Sequence, residues 1–475
     1  MKTLFTLLSV SLFNFSFLIF NCSSAFSQTI SAGGWHSLFV CTDATARTCG
    51  YGAHGQLGDG TTIDKSTPVQ VSGLTGITAV AGAYKSSLFL KNNGTVWACG
   101  FNANGQLGDG TTIDKSTPVQ VSPAWGGSIT AVAAGRDHSL FLKNDGSVWA
   151  CGWNIYGQLG DGTGINQSIP VQTSPAWGGS ITAVSGGGTH SLFLKNNGTV
   201  WACGLNDSGE LGDGTTTQRL TPVQVSGLTG ITAVAAGWNH SLFLKNDGTV
   251  WACGYNLYGQ LGVGTTINKS TPVQVSGLNG ITAVAAGFWY SLFLKNDGTV
   301  WACGHNAQGQ LGDGTTISKS TPMQVSGLTG ITAVAAGAYY SLFLKNNGTA
   351  WACGSNNYGQ FGDGTTISKL TPVQLTNLCT VPTSSGALQP LDLETIHLYP
   401  NPASDEITAE IAVQQNTKAT IEVFNTKGEQ VLYKEAGLTK GLMQVKINVS
   451  QLAAGNYMFR ITLPNKQKTE KIFIR

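Results

Sequence analysis

The chain has 475 residues and a formal net charge of +2, with charged residues at only 11%. Charge this sparse argues against long charged helices, and the near-neutral balance provides no electrostatic footprint for DNA or RNA. With 63 glycines, 14 prolines and no Gly-X-Y period, many tight turns between short strands are expected.

The first residues read as an export leader. Lys2 supplies the positive start, Leu4 to Phe20 is an apolar run, and Ala25-Phe26-Ser27 is a small-x-small cleavage pattern with Gln28 after it. The run is short for a membrane span. Cys22 follows Ile19-Phe20-Asn21, which lacks the small residues of a lipoprotein site. Residues 1–27 are therefore expected to be a signal peptide, leaving a soluble, exported chain.

One phrase then recurs. Cys-Gly appears with its glycine at 50, 100, 152, 204, 254, 304 and 354, at spacings of 50, 52, 52, 50, 50 and 50 residues. Each is followed by a version of Gly-Gln-Leu-Gly-Asp-Gly-Thr, as at Gly105 to Thr111. A fixed period of this length marks a repeat architecture. Within one unit, Ile231 to Gly237 and Ser241 to Lys245 are short apolar runs. Asn246-Asp247-Gly248 is a turn signal, Thr249 to Cys253 completes a hairpin, and Pro272 to Val275 is a fourth strand with proline at its start. Four short strands per unit make one propeller blade, so seven units predict an all-β, seven-bladed propeller over residues 28–379. The two longer units carry Ser122-Pro-Ala-Trp-Gly-Gly-Ser128 and Ser174-Pro-Ala-Trp-Gly-Gly-Ser180, insertions expected in loops on one rim.

The phrase Gly-x-x-His-Ser-Leu, followed by Asn-Asp-Gly-x-Val-Trp-x-x-Gly-x-Asn-x-x-Gly-Gln-Leu-Gly, resembles the repeat of the regulator of chromosome condensation family. His138-Ser139-Leu140 with Trp149 to Gly160 is a full example, and the resemblance runs from about Thr29 to Leu378. It implies a seven-bladed propeller. The family's best-known member is a nuclear guanine-nucleotide exchange factor, a role that a leader peptide places out of reach here. Secreted propellers that inhibit β-lactamases are more similar in context, and they bind protein partners through one rim.

After Cys379 the text changes. Residues 380–392 read as a polar linker. Beyond it, Glu406 to Ile411, Thr420 to Phe424, Met443 to Val449 and Tyr457 to Thr462 alternate as half-buried strands, predicting a small Ig-like β-sandwich over 393–475. Tyr399-Pro-Asn-Pro-Ala-Ser404, Gly455-Asn-Tyr-Met-Phe-Arg460 and Lys471-Ile-Phe-Ile-Arg475 resemble the C-terminal sorting domain of the type IX secretion system. The resemblance implies export across an outer membrane to the cell surface or the medium, contact with that machinery, and removal of the tail.

Seven cysteines hold one strand position in each repeat: Cys49, Cys99, Cys151, Cys203, Cys253, Cys303 and Cys353. Equivalent positions in neighbouring blades are too far apart to bond, so these read as small buried hydrophobes rather than metal ligands. Cys41 in the first unit and Cys379 after the last break the pattern. Closure of the ring would bring them together, making a seam disulfide the candidate and two free thiols the alternative.

The residues offer no catalytic constellation, metal site or cofactor motif. Asp59, Asp109, Asp161, Asp213, Asp313 and Asp363 recur singly in Gly-Asp-Gly, with Val263 in the fifth unit. Lone carboxylates a blade apart are turn residues, not a calcium site. His36, His138, His190 and His240 recur before a serine without any asymmetric partner, which fits a repeated hydrogen bond. Variation is concentrated instead at two loop sites. The triplets before Ser-Leu-Phe contain Trp35, Tyr84, Arg136, Trp238, Phe288, Trp289, Tyr290, Tyr339 and Tyr340. The positions after Cys-Gly contain Phe101, Trp153, Tyr156, Tyr255 and Tyr258. Trp and Tyr dominate contact energy at interfaces, so this rim is the candidate binding surface, with packing between blades as the alternative for several rings. The expected function is a non-enzymatic exported binding propeller. Its partner would be an extracellular protein, or a glycan if the chain is a surface adhesin, and not nucleic acid. A propeller enzyme would need clustered carboxylates or a metal site.

Overall fold

The computed structural model describes residues 29–123, 125–126, 128–174, 180–375, 378–379, 396–399, 405–413, 416–439, 441–464 and 466–474. The leader over 1–27, the linker over 380–392 and the motif residues Pro400 to Ser404 lie outside the described residues. The chain divides into two compact units, Met1–Pro382 and Thr383–Arg475. Among the described residues there is no helix.

The first unit is seven four-stranded antiparallel sheets, spanning 29–70, 77–120, 129–172, 181–224, 231–274, 281–324 and 331–374, here blades 1 to 7. In blade 5, Ile231–Ala236 pairs with His240–Lys245, which pairs with Val250–Gly254, which pairs with Lys269–Gln274. The fourth strand starts three residues earlier than the position of Pro272 implied. A register shift between Ala252 and Gly254 leaves Pro272 in a bulge on the outermost strand, where its missing N–H interrupts no ladder.

Each second strand is buried along both faces, which explains why its residues do not alternate. Leu88 and Leu90 of blade 2 pack forward against Phe141 and Cys151 of blade 3, while Phe89 packs backward onto Leu38 of blade 1. The same interlock runs round to Phe39 and Cys49, which sit in the core of blade 7. The ring is therefore closed. Every blade takes its four strands from consecutive sequence, so closure uses no exchanged strand. The Ala338 N–H donates to the Gly34 carbonyl at 3.2 Å, and the Gly364 N–H to the Ser66 carbonyl at 2.8 Å. Cys41 and Cys379 are joined as a disulfide across this seam, with Cα atoms 5.5 Å apart.

In the second unit, one sheet holds Ile396–Tyr399, Glu406–Val413 and Gly441–Asn448. The other is ordered Gln430–Leu438, Thr417–Phe424, Gly455–Leu463, Lys466–Ile474. Ile407, Ala409 and Ile447 from the first sheet meet Ile421, Val423, Phe459, Ile461 and Ile472 from the second in one core. The strand Gln430–Leu438 had no clear alternation in sequence, because most of it is exposed.

Candidate binding face

Because strands alternate in direction, the first-to-second and third-to-fourth connections of every blade emerge on one face of the ring. Both variable sites lie in these connections. The links between blades emerge on the other face, where the first insertion buries Trp125 against Phe141, ring centroids 5.1 Å apart.

The three triplet positions have separate surroundings. The third is buried between blades. The Nε2–H groups of His36, His138, His190 and His240 donate to the hydroxyls of Ser87, Ser191, Ser241 and Ser291 in the following blade, at 2.8 to 3.0 Å. The direction follows because each serine hydroxyl itself donates to a carbonyl one blade back, as Ser241 does to Glu210 at 2.7 Å. Each imidazole Nδ1 is buried without a partner. Burial holds three of these histidines down to a pKa of about 3, and His138 to about 4, so all four are neutral. Tyr290 and Tyr340 do the same work. Tyr290 donates to the Tyr340 carbonyl and Tyr340 to the His36 carbonyl, and both rings are fully buried. These two tyrosines are therefore not part of an exposed rim, contrary to the expectation from their composition. The ring needs the space of an absent side chain: a Cβ on Gly33, Gly135, Gly237 or Gly287 would lie 2.1 to 2.3 Å from it. Blade 2 alone has Ala83 at this place, and it alone has a ringless residue, Ser86.

The first triplet position points to the ring axis. Its occupants are Gly34, Tyr84, Arg136, Gly188, Trp238, Phe288 and Ala338. Tyr84, Trp238 and Phe288, from blades 2, 5 and 6, meet across the axis with centroids 5.7, 5.6 and 4.0 Å apart. The Arg136 guanidinium lies 5.0 Å from Trp238, 5.4 Å from Trp153 and 5.8 Å from Tyr84. Gly34 and Gly188 leave room for Tyr84 and Trp238 respectively. Together these groups cap a central channel of about 790 Å³ whose walls are the small residues of the innermost strands.

The second position and the later loop extend the cap outward. Trp289 packs against Tyr258, Tyr339 and His305 at 5.6 to 5.9 Å. Trp35 packs against Tyr84, Tyr51 and Tyr358. Tyr255 adjoins Tyr258, Trp153 adjoins Tyr156, and Phe101 adjoins His54. All these rings are half-buried. Burial raises the Tyr84 and Tyr339 hydroxyls and lowers His305. Tyr51 and His54 were not singled out from the sequence, although Tyr51 occupies the same repeat position as Phe101. Ile155 and Leu257, beside these rings, are about 60% exposed. Blade 4 contributes no ring to the patch.

The Gly-Asp-Gly aspartates form local turns. Asp109 accepts the Thr111 N–H at 3.0 Å and lies near Lys115, while the buried Asn102 amide donates to it and to two loop carbonyls. That asparagine recurs in blades 2 to 7 and organises the loop, a role its sequence position alone did not reveal. Each buried cysteine thiol faces a carbonyl of the preceding blade, as Cys49 does Gln360 at 3.4 Å, and burial pushes its pKa up. Among the described residues, no group of three or more His, Cys, Asp or Glu side chains could hold a metal.

A closed ring of near-identical four-stranded blades defines a repeat propeller. Regulator of chromosome condensation (RCC1) repeats match residues 48–90, 93–142 and 129–158, and an RCC1-like domain matches 162–389. A secretion system C-terminal sorting domain matches 397–475. The chain is an RCC1-repeat propeller carrying a type IX sorting domain, which directs it to the cell surface or extracellular space. It is 29% identical over 200 residues to the ultraviolet-B receptor UVR8 of Arabidopsis thaliana, covering 42% of this chain and 46% of that one. It is 32% identical over 207 residues to the E3 ubiquitin-protein ligase HERC2 of Homo sapiens, covering 43% of this chain and 4% of that one. It thus spans less than half the length of these curated relatives. Among solved structures, Prp20p from Saccharomyces cerevisiae superposes with a TM-score of 0.64 at 24% identity, covering 70% and 86% of the two chains. Human WBSCR16 does so with a TM-score of 0.61 at 24% identity, covering 66% and 85%. These likenesses concern the fold.

Proposed function

We propose that the mature chain is an exported, non-enzymatic binding module whose partner is an extracellular protein seated on the aromatic loop face. The leader over 1–27 is removed, the propeller of 28–379 carries the site, and an Ig-like tail of 393–475 serves export. The observation that supports a protein partner is the geometry of the rings. These pairs are tilted or edge-to-face, so the rings brace one another in a packed cluster and none lies as a free flat plate parallel to its neighbour. A glycan adhesin would instead offer open, stackable faces. Rings already packed together also lose little freedom on binding. The test is a pull-down of surface and secreted proteins by the full mature chain and by a Trp289→Ser/Tyr339→Ser variant, alongside a glycan array. A protein captured by the parent and lost by an equally stable variant supports the reading. Equal capture by both, or a glycan signal abolished in the variant, overturns it.

A further inference from the structure

We propose that the third-to-fourth connection of blade 1 binds a monovalent metal cation of sodium's size, in the place that an asparagine amide fills in the other blades. The repeat itself provides the comparison. In blade 2 the Asn102 amide nitrogen lies 3.1 to 3.3 Å from four oxygens: Asp109 Oδ1, the Thr111 carbonyl and hydroxyl, and the Ile113 carbonyl. Blades 3, 4, 6 and 7 repeat that set. The Asn102 amide oxygen accepts the Leu107 N–H at 3.0 Å, a bond that every later blade also makes.

Blade 1 has Gly52 at this position, and the glycine is buried. Its loop nevertheless keeps the bonds of the others. The Gly52 N–H donates to Asp64 Oδ1 at 2.8 Å, as the Asn102 N–H does to Asp114 at 2.8 Å. The Thr61 N–H and hydroxyl donate to Asp59 Oδ1 at 2.9 and 2.8 Å, against 3.0 and 2.8 Å from Thr111 to Asp109. Asp59, Thr61 and Ile63 thus present the same four oxygens with no amide hydrogens among them, and the Leu57 N–H has no amide oxygen to meet. The Ile63 carbonyl oxygen stands 2.4 Å from where a Cβ on Gly52 would lie, nearer than the 3.0 Å that real Cβ atoms keep. It has moved into the space that the side chain leaves.

Whatever replaces the amide must draw oxygens together and also accept an N–H. A cation carrying one water does both. Standard bond lengths put the nitrogen and oxygen of an amide about 2.3 Å apart. A cation of this radius holds oxygens at about 2.3–2.6 Å. The ion takes the nitrogen's place and its water the oxygen's, with a lone pair left for the Leu57 N–H. Two waters would stand about 2.7–2.8 Å apart and match the amide less well. Charge selects a monovalent ion. Asp59 is the sole carboxylate in the set, and Lys65 Nζ already lies 3.3 Å from its Oδ2. Calcium needs about six to eight oxygens, richer in carboxylate than these. The braced loop displays Tyr51, edge-on to Trp35 and Tyr358, so the ion steadies the blade 1 part of the aromatic face.

The test follows hydrogen exchange across residues 51–64 of the full mature chain, in sodium chloride and in choline chloride at equal ionic strength. Sodium is expected to slow exchange at the Leu57 amide at least tenfold. Gly52→Asn brings its own amide, so its exchange is expected to be equally slow in both salts. Thr61→Val deletes one of the four oxygens and is expected to lose the sodium response, which keeps the proposal testable if Gly52→Asn does not fold. Equal exchange of the parent in both salts means that water alone fills the place, and overturns the proposal. A sodium response that persists in Gly52→Asn or in Thr61→Val overturns it too. Protection by millimolar calcium chloride equal to that by sodium would assign a divalent site instead. None of these outcomes depends on the partner of the propeller.

Discussion

Blade 2 is the one blade without a ring at the third triplet position, and the reason can be tested by rebuilding it. In the other six blades a His or Tyr at the third triplet position lies over a glycine three residues earlier. In blade 2 the pair is Ala83 and Ser86. A methyl at the glycine would stand 2.3 Å from the His36 ring, 2.1 Å from that of His138 and 2.2 Å from that of His240. Carbon atoms need about 3.5 Å, so ring and methyl exclude each other. Ser86→His alone should therefore cost about 1–3 kcal/mol through overpacking. Ala83→Gly alone should cost about 1–2 kcal/mol, through a lost buried methyl and a freer backbone. The double variant restores the arrangement of the other seams, with the hydroxyl of Ser139 as the expected acceptor. It should recover the overpacking term and gain about 1 kcal/mol from the new hydrogen bond. The predicted coupling between the two changes is thus about 2 kcal/mol or more, in favour of the pair. Denaturant midpoints of the four proteins at pH 8, where the new histidine is neutral, measure it. Additivity within about 0.5 kcal/mol would refute the steric account.

Acid should loosen the same belt. The four histidines titrate near 6.5 when unfolded but at about 3 to 4 when folded, so between those limits the unfolded chain binds more protons and stability falls as pH drops. From pH 8 to pH 5 each costs about 2 kcal/mol, and His240→Tyr, copying blades 6 and 7, should remove one such share from the pH dependence of the midpoint. Glu210, buried where other blades have Gln, runs the other way: burial raises it from 4.5 to about 7, so its contribution is full below pH 4.5 and is lost as pH rises. Glu210→Gln should stabilise by about 2–3 kcal/mol at pH 8 and by little at pH 4, read from the same denaturation curves. Removing the seam disulfide with Cys41→Ser opens a loop of 338 residues, and loop-closure entropy puts the loss at up to about 5 kcal/mol, visible as a lower Tm than that of the oxidised parent.

The ring was legible because similar environments demand similar words: Leu88, Phe89 and Leu90 recur in blades 2 to 7, with Val40 for the last leucine in blade 1, since every seam needs the same interlock. The pairing of Cys41 with Cys379 was legible as the two exceptions to a regular pattern. The aromatic face was legible only in part. Sequence showed where rings were abundant but not which way each pointed, so Tyr290 and Tyr340 looked like neighbours of Trp289 and Tyr339 in exposure as well as in number. Direction along a triplet depends on backbone geometry at the strand start, and composition does not carry it. The clue that was present lay one step back. Tyr290 and Tyr340 share a column with His36, His138, His190 and His240, each three residues after glycine, and a residue type that replaces a recurrent buried donor inherits its burial.

That column structure bears on where specificity can reside. The third triplet position is tied to the next blade by a hydrogen bond and to a glycine by contact, so it cannot change freely. The first position is constrained across the axis, because Tyr84 needs Gly34 beside it and Trp238 needs Gly188. A change there must be matched in another blade or the cap opens. The second position is half-buried in blades 1, 2, 6 and 7, where it holds Trp35, Lys85, Trp289 and Tyr339, as is the start of the later loop with Phe101, Trp153, Tyr255 and His305. Asp137 and Thr189 at the second position of blades 3 and 4 are instead buried, and Asn239 of blade 5 donates to Glu210. Rings at these places rest on a cap that the first position keeps rigid. Substitution at the second position of blades 1, 2, 6 and 7 therefore changes the outward surface that the proposed partner would meet while leaving the ring and its seams unchanged, whereas the same substitution one residue to either side is first a change in packing.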